Sequence, residues 1–401
     1  MYLAPCGIGL GHITRTVPIA EQLKRSGNEI VYSTYLDGLD FAKQSRLPTF
    51  EAVPINFKVT SDGTIDFKHT AATSGFSLGI RMFLRQVTRE IRYLRSFKPD
   101  VVFSDSRASS LIAARLLRIP VVLMLNQFRV EIIRRPTGRR MSLFDRFFFF
   151  IANLGWLFIR TAIELVWGRS QLILIPDLPF PYTISLGNLA IPKRYNSKVK
   201  LIGPIVNSNQ KDAANGSQIK RQLGLHAVQP LVYAAVSGPR VEREILANLL
   251  LDSLSGLSRE YDIVLSRGDP TGQRKPRQIN GVMVYDWIDE QEDFIRASDV
   301  IISRAGHGII MKSLTHGKPM ILVPIPDHTE QYGNAQRAQS LQAATMLDQN
   351  KLNHDTMQSA IVEILNNPQY RRHSMEIAKA AMSMHAVDVA CGLISNFARS
   401  S

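Results

Sequence analysis

Apolar residues along this chain fall into two alternating textures. Short continuous runs bounded by Pro, Gly, Asn or Ser read as buried strands, and between them apolar positions recur every three or four residues, the helical period. In the first half the runs are Met1 to Pro5, Glu29 to Thr34, Val101 to Asp105 and Val121 to Leu125. In the second they are Leu231 to Val236, Asp262 to Ser266, Val282 to Tyr285, Val300 to Ile302 and Met320 to Val323. Helices are expected from about Arg15 to Ser26, ending at Gly27, from Ser109 to Leu117 ahead of Pro120, and from about Thr356 onward. Strand and helix alternating in this way make a parallel sheet covered on both faces. The expected fold class is therefore α/β: two Rossmann-like doubly wound domains facing across a cleft. The run Leu201-Ile202-Gly203-Pro204 closes the first series, and the polar stretch Asn207 to Ser217 reads as the linker. The expected division is 1–204, 205–385, and a C-terminal helix over 386–401 that packs back on the first domain.

Two helical stretches depart from the ordinary pattern. Arg81, Arg85, Arg89 and Arg92 share one helix face, with Phe83, Val87, Ile91 and Leu94 on the other. Leu143 to Trp167 is long enough to span a bilayer and contains Phe147 to Phe150 and Trp156, but Asn153, Arg160 and Glu164 interrupt it. A charge at the bilayer centre costs about 2.5–3.5 kcal/mol on insertion scales. With Arg134, Arg135, Arg139, Arg140 and Arg146 just before it, the stretch reads as an in-plane interfacial helix. The alternative is a helix hairpin packed inside the first domain.

At 401 residues the chain exceeds one ordinary core, and its 45% hydrophobic and 20% charged content is that of a folded globular protein. The two cysteines, Cys6 and Cys391, make no disulfide framework, and no basic and apolar leader precedes the first strand. A reducing compartment is expected. The net charge of +14 is concentrated: Arg81 to Arg169 holds 17 Lys and Arg against 6 Asp and Glu. Such a surplus implies an anionic partner, and in the absence of any nucleic-acid module signature the expectation is a membrane surface or a phosphorylated ligand. A merely solvated basic face is the alternative.

Glycine-rich turns carry the candidate chemistry. Gly7-x-Gly9-x-Gly11 follows the first strand, and Ser303-Arg304-Ala305-Gly306-His307-Gly308 follows Val300 to Ile302. Each ends a strand and opens a helix, which aims backbone amides at negative charge. A dinucleotide site would also need an acidic residue ending strand two, where Tyr32-Ser33-Thr34 stands and Asp37 comes three residues late. Gly9 and Gly11 instead form a candidate acceptor or phosphate loop that places His12 at a helix start, as a candidate general base or a structural histidine. Asp105, ending a buried strand, is its candidate partner. Ser237-Gly238 is a second candidate phosphate turn, with Arg240, Arg243, Arg267 and Arg304 in reach of its ligand. No Gly-Lys-Ser/Thr follows either loop, which excludes a P-loop nucleoside triphosphatase. No cluster has metal-ligand spacing, so no metal and no cofactor is expected.

Taken together, these residues resemble the inverting glycosyltransferases of the two-Rossmann-domain (GT-B) superfamily. The patterns are similar to the bacterial peptidoglycan N-acetylglucosaminyltransferase, with its glycosyltransferase family 28 C-terminal domain, and to the UDP-glucuronosyl/glucosyltransferases. The string that carries it runs from Ser303-Arg304-Ala305-Gly306 through Gly317-Lys318-Pro319 and Val323-Pro324 to Glu330-Gln331-Tyr332-Gly333-Asn334-Ala335. The resemblance implies an acceptor-binding, membrane-associating first domain and a second domain that binds a nucleotide-sugar, a UDP-sugar such as UDP-N-acetylglucosamine. Ser237, Gly238, Arg304, Gly306 and His307 would lie at the donor diphosphate, Glu330 and Gln331 at its sugar hydroxyls, and Trp287 and Ile288 at the base. His12 matches the acceptor-activating base and Asp105 its dyad partner. The implied partners are the nucleotide-sugar, a lipid or lipid-linked acceptor and an anionic membrane, with the protein peripheral on the cytoplasmic face.

Two positions depart from the family pattern. Ile309 stands where a Thr is usual, and Lys312 where a Glu holds the ribose diol. Each change would weaken donor binding by about 1–3 kcal/mol without compensation, unless Lys312 reaches a phosphate. The alternatives are a non-catalytic subunit that keeps the fold, or a sugar-nucleotide epimerase.

Overall fold

The computed structural model describes residues 1–55, 67–128, 143–206, 216–326 and 328–398. Most of the expected linker, residues 207–215, lies outside them, as do Arg134, Arg135, Arg139 and Arg140 and the side chains of Phe148, Phe149, Asn153 and Trp156.

The first sheet is made of β1 (Tyr2–Pro5), β2 (Val31–Thr34), β3 (Thr49–Glu51), β4 (Val102–Asp105), β5 (Val121–Met124), β6 (Leu172–Ile175) and β7 (Val199–Leu201). Its order is β3-β2-β1-β4-β5-β6-β7, and every pairing is parallel. The helices between are α1 (Gly11–Arg25), α2 (Leu36–Gln44), α3 (Phe67–Phe97), α4 (Ala108–Leu116), α5 (Leu143–Trp167) and α6 (Leu186–Leu189). The second sheet contains β8 (Leu231–Ala235), β9 (Asp262–Ser266), β10 (Arg277–Ile279), β11 (Val282–Tyr285), β12 (Val300–Ser303), β13 (Met320–Leu322) and β14 (Ala344–Met346). Its order is β10-β11-β9-β8-β12-β13-β14, parallel except for the β10–β11 hairpin. Around it lie α7 (Gly216–Gln222), α8 (Arg240–Leu254), α9 (Gln291–Ala297), α10 (His307–Thr315), α11 (Thr329–Ser340), α12 (His354–Asn366) and α13 (Pro368–Met382), and the chain ends in α14 (Ala386–Ala398).

The parallel order explains the texture of the sequence. A strand buried on both faces is largely apolar, and β1, β5, β6, β8 and β12 are buried at every position, with Ser303 closing β12 as its one hydroxyl-bearing position. The helices need only one apolar stripe: α1 buries Ile13, Thr16, Ile19 and Leu23, turns Lys24 and Arg25 to its carboxyl end, and stops before Gly27 at φ +86. On one face of the first sheet Ile13, Ile19 and Leu23 pack with Ala390 and Ile394 of α14, so the last helix lies against the first domain. The chain also crosses the other way: Leu178 and Ile184, which follow β6, are buried in the core of the second sheet.

The stretch from Leu143 is a single 25-residue helix, so the hairpin alternative does not hold. Phe147, Phe150, Ile151, Leu154, Leu157, Phe158 and Leu165 are exposed on it, while Arg160 and Glu164 pair with each other at 3.5 Å. Residues 368–398 are long and apolar enough to cross a membrane. They are nevertheless two helices, and the second has its apolar face in the first core. On α3 the arginine face is exposed and lines a groove of about 540 Å³ together with Val53 and Leu84, while Val87 and Leu94 are buried.

Candidate active site between the two sheets

All strands of a parallel sheet end at one edge, where a ligand meets the loops. Here the carboxyl edges of the two sheets face each other. The Gly7–Gly11 turn after β1 meets the turn after β8: a Cβ on Gly9 (φ +68) would lie 3.7 Å from Gly238 (φ +118). Gly7 is held against α2, since a Cβ there would lie 1.9 Å from the Tyr35 carbonyl oxygen, a position only glycine can fill. Asp37 accepts from Gly9 N at 3.2 Å and pairs with Arg243 of α8 at 3.3 Å. Phe41 packs on Trp287, with ring centroids 5.9 Å apart.

His12 and Asp105 are brought together. His12 stands in the first turn of α1, with its side chain 26% exposed and Nδ1 2.9 Å from Oδ1 of the fully buried Asp105. Burial alone would raise the Asp105 carboxyl, but Arg15 and then His12 outweigh it and hold it at about 2. An ionised Asp105 only accepts, so its hydrogen bond with His12 is the one made by the tautomer with the proton on Nδ1; Arg15 Nη2 also lies 3.2 Å from that nitrogen. Arg15 is a third member that the sequence reading missed. Its Nε donates to Asp105 Oδ2 at 2.6 Å, its Nη2 donates to Oδ1, and its Nη1 donates to Asn126 Oδ1 at 3.2 Å. The signal was present: Arg15 lies three residues from His12 on one helix face, and Asn126 is a polar residue directly after a fully apolar strand.

On the facing edge α8 and α10 begin at Pro239 and Gly306 without side-chain caps, as α1 does at Leu10, so their first amides are directed at the cleft. Gly306 has an ordinary backbone (φ −69), and a Cβ there would meet nothing within 4 Å. Neither conformation nor protein packing asks for glycine at this position. Ser237 stands at the turn with Gly238, one residue beyond the end of the buried run from β8.

Several expected donor contacts are engaged elsewhere. Arg304 is 1% exposed and donates to the Val323 carbonyl at 3.2 Å and to Gln349 at 2.6 Å. Burial lowers it to about 10 against the pull of Glu242. Its two terminal nitrogens brace the loop from inside the domain, while its Nε has no hydrogen-bond partner among the described residues. His307 turns its Nε2 to Asp177, 3.2 Å away and fully buried. Burial would raise that carboxyl, yet His307 and the Ser185 hydrogen bonds bring it down to about 2. Lys312 donates to Gln291 Oε1 at 3.3 Å, and burial lowers its pKa. Gln331 accepts from Ile325 N at 2.9 Å and so holds the Pro-rich loop. Glu330 accepts from Asn126 Nδ2 at 2.6 Å. Ile288 is buried in the second core, and Trp287 donates to Asp289 at 2.9 Å. Among the described residues no group of three or more His, Cys, Asp or Glu is placed to share a metal ion.

Two facing Rossmann-like sheets, together with a match of residues 240–389 to the Glycosyltransferase family 28 C-terminal domain, define the class: this is a glycosyltransferase of GT-B architecture. Among curated proteins the chain is similar to an uncharacterized glycosyltransferase of Methanosarcina acetivorans, 26% identical over 82% of this chain and 80% of the relative. It is also similar to the UDP-N-acetylglucosamine--N-acetylmuramyl-(pentapeptide) pyrophosphoryl-undecaprenol N-acetylglucosamine transferase of Geobacillus kaustophilus, at 23% identity over 92% of each chain. The solved structure of the glycosyltransferase SnogD from Streptomyces nogalater shares the fold with a TM-score of 0.65, at 17% identity and over 99% of each chain.

Proposed function

We propose that the protein is an inverting glycosyltransferase that moves a sugar from a nucleoside-diphosphate sugar, of the UDP class, to a lipid or lipid-linked hydroxyl at a membrane surface, without a metal. The observation that carries this reading is the His12–Asp105 pair, 2.9 Å apart at the edge facing the uncapped start of α10. His12 Nε2 takes the proton of the acceptor hydroxyl as that oxygen attacks the anomeric carbon. The bond from that carbon to the phosphate oxygen breaks, and its electron pair leaves with the nucleoside diphosphate. Amides opening α10 and α8 stabilise the charge that develops there, the kind of preorganised electrostatics that lowers such barriers most. Asp105 fixes the imidazole tautomer and stabilises the imidazolium.

The donor class is supported by the Gly306 loop, where no described residue lies close enough to require glycine, and by the activity of the Geobacillus relative. That relative's name also supports a lipid-linked acceptor. The membrane is supported by the exposed aromatic face of α5 and by the arginine face of α3 in the same layer. The deciding experiment incubates purified protein with labelled UDP-N-acetylglucosamine and a polyprenyl-diphosphate-linked sugar. Transfer is expected, and His12→Ala should lower it by about 10²–10⁴-fold with UDP affinity little changed. Transfer by His12→Ala within a few fold of wild type would remove the base assignment.

A further inference from the structure

A hydrogen-bonded chain runs from the base to the sugar end of the donor site and changes domain on the way. His12 meets Asp105, Arg15 clasps Asp105 and donates to Asn126 Oδ1, and Asn126 Nδ2 donates to Glu330 Oε1. Asn126 is 6% exposed, just past the carboxyl end of β5, and Glu330 is in the first turn of α11. The sense of its amide is set by its partners: a guanidinium only donates and a carboxylate only accepts. Aspartate here would put a second carboxylate against Glu330, and an apolar residue would strand a buried donor and acceptor. The Glu330 backbone is held from the first half as well. Asn188 Nδ2 donates to its carbonyl at 3.4 Å and to Asn334 Oδ1 at 3.0 Å. Gly333 makes room, since a Cβ there would lie 3.3 Å from Asn188 Oδ1.

We propose that Asn126 is a positioning residue that ties the His12–Asp105–Arg15 cluster to Glu330, the residue expected at the donor sugar, so that one amide couples the donor end to the base. This rests on the transferase reading above. Asn126 meets the base cluster and Glu330 and is placed at the start of neither α8 nor α10, so its removal should appear in turnover and not in nucleotide affinity.

Asn126→Ala is expected to lower kcat by about 10- to 100-fold, while the affinity for UDP, measured by calorimetry, moves by less than about threefold. Asn126→Asp should fall further, and adding Glu330→Gln should recover part of that loss, because the new amide donates to the new carboxylate. Should Asn126→Ala fail to fold, this double variant carries the test, since it keeps every donor matched to an acceptor. A kcat within about twofold of wild type in Asn126→Ala overturns the proposal, as does a double variant no better than the product of its single effects. Thermal unfolding of the Asn126→Ala and Glu330→Ala cycle reads the link without turnover, and strictly additive Tm changes also overturn it. Non-additive Tm changes in a protein that transfers no sugar support the link while overturning the transferase reading.

Discussion

Glu242 occupies a position that is hard on a carboxylate. It sits in the first turn of α8, 5% exposed, and its Oε2 has no hydrogen-bond partner among the described residues. Burial pushes it up to about 7 from an ordinary 4.5, with Arg304 pulling it down and Asp37 adding to the rise. A carboxyl raised in the folded state binds its proton more tightly there than in the unfolded chain. Stability therefore falls as pH rises from about 4.5 to about 7, and the loss is complete above that window. Glu242→Gln should be more stable than wild type at pH 8 by up to about 3 kcal/mol, and the gap should close towards pH 5. Urea unfolding at the two pH values measures it, and equal gaps would place the cause elsewhere. Gly306 gives a complementary residue-level test. Because no described residue lies within 4 Å of a Cβ there, Gly306→Val should fold as wild type does and lose nucleotide binding. A variant that still binds UDP would move the diphosphate away from this loop.

At the scale of elements, α5 stands out as a helix whose apolar surface is left uncovered among the described residues. Its 25 residues extend about 37 Å, whereas the four-residue strands beside it extend about 13 Å, so much of the helix has no sheet to cover. Phe147 (65% exposed), Phe150 (64%) and Phe158 (71%) sit on that uncovered length. Replacing these three with Ser should release the protein from anionic vesicles while leaving its unfolding midpoint nearly unchanged. Wild-type binding should be only partly reversed by high salt, because salt screens the arginines of α3 and leaves apolar insertion intact. Loss of fold in the Ser variant with no vesicle binding by wild type would make α5 a core element. The element level was also the most legible one in the sequence. Strands such as β5 and β6 must be apolar at every position, and that local demand is written in consecutive residues. The engagement of Arg304 and His307 was not legible, because their partners Gln349 and Asp177 lie far off in the chain and carry no local period. The turn that offers amides to a ligand is a local pattern; which nearby side chains are already spent is a property of the packed interior.

At the scale of the whole molecule, the two domains exchange chain. The Asp177–Asn188 segment leaves the first sheet to pack on α10 and α11, and α14 leaves the second domain to bury Ala390 and Ile394 against α1. Each domain thus completes its core with residues supplied from the other side, which should make unfolding a single event. Ile394→Asp would leave an unpaired charge among Ile13, Ile19 and Leu23. It should lower the unfolding midpoint of the first domain and split one calorimetric transition into two. A single transition shifted as a whole would mean that the interface holds the domains together without this helix.

The same exchange sets terms for recombination. A chimera that takes its second domain from a related enzyme and is cut near Gly203 would separate His307 from the Asp177 that it faces, and Asn334 from Asn188. The imported loop would then meet a foreign segment at the two places where it is held most closely. The natural module for transplanting the second domain is therefore discontinuous. It joins residues 177–190 to the second sheet and leaves α14 behind with the recipient, and parents matched at those contacts should recombine where parents matched only in overall identity do not.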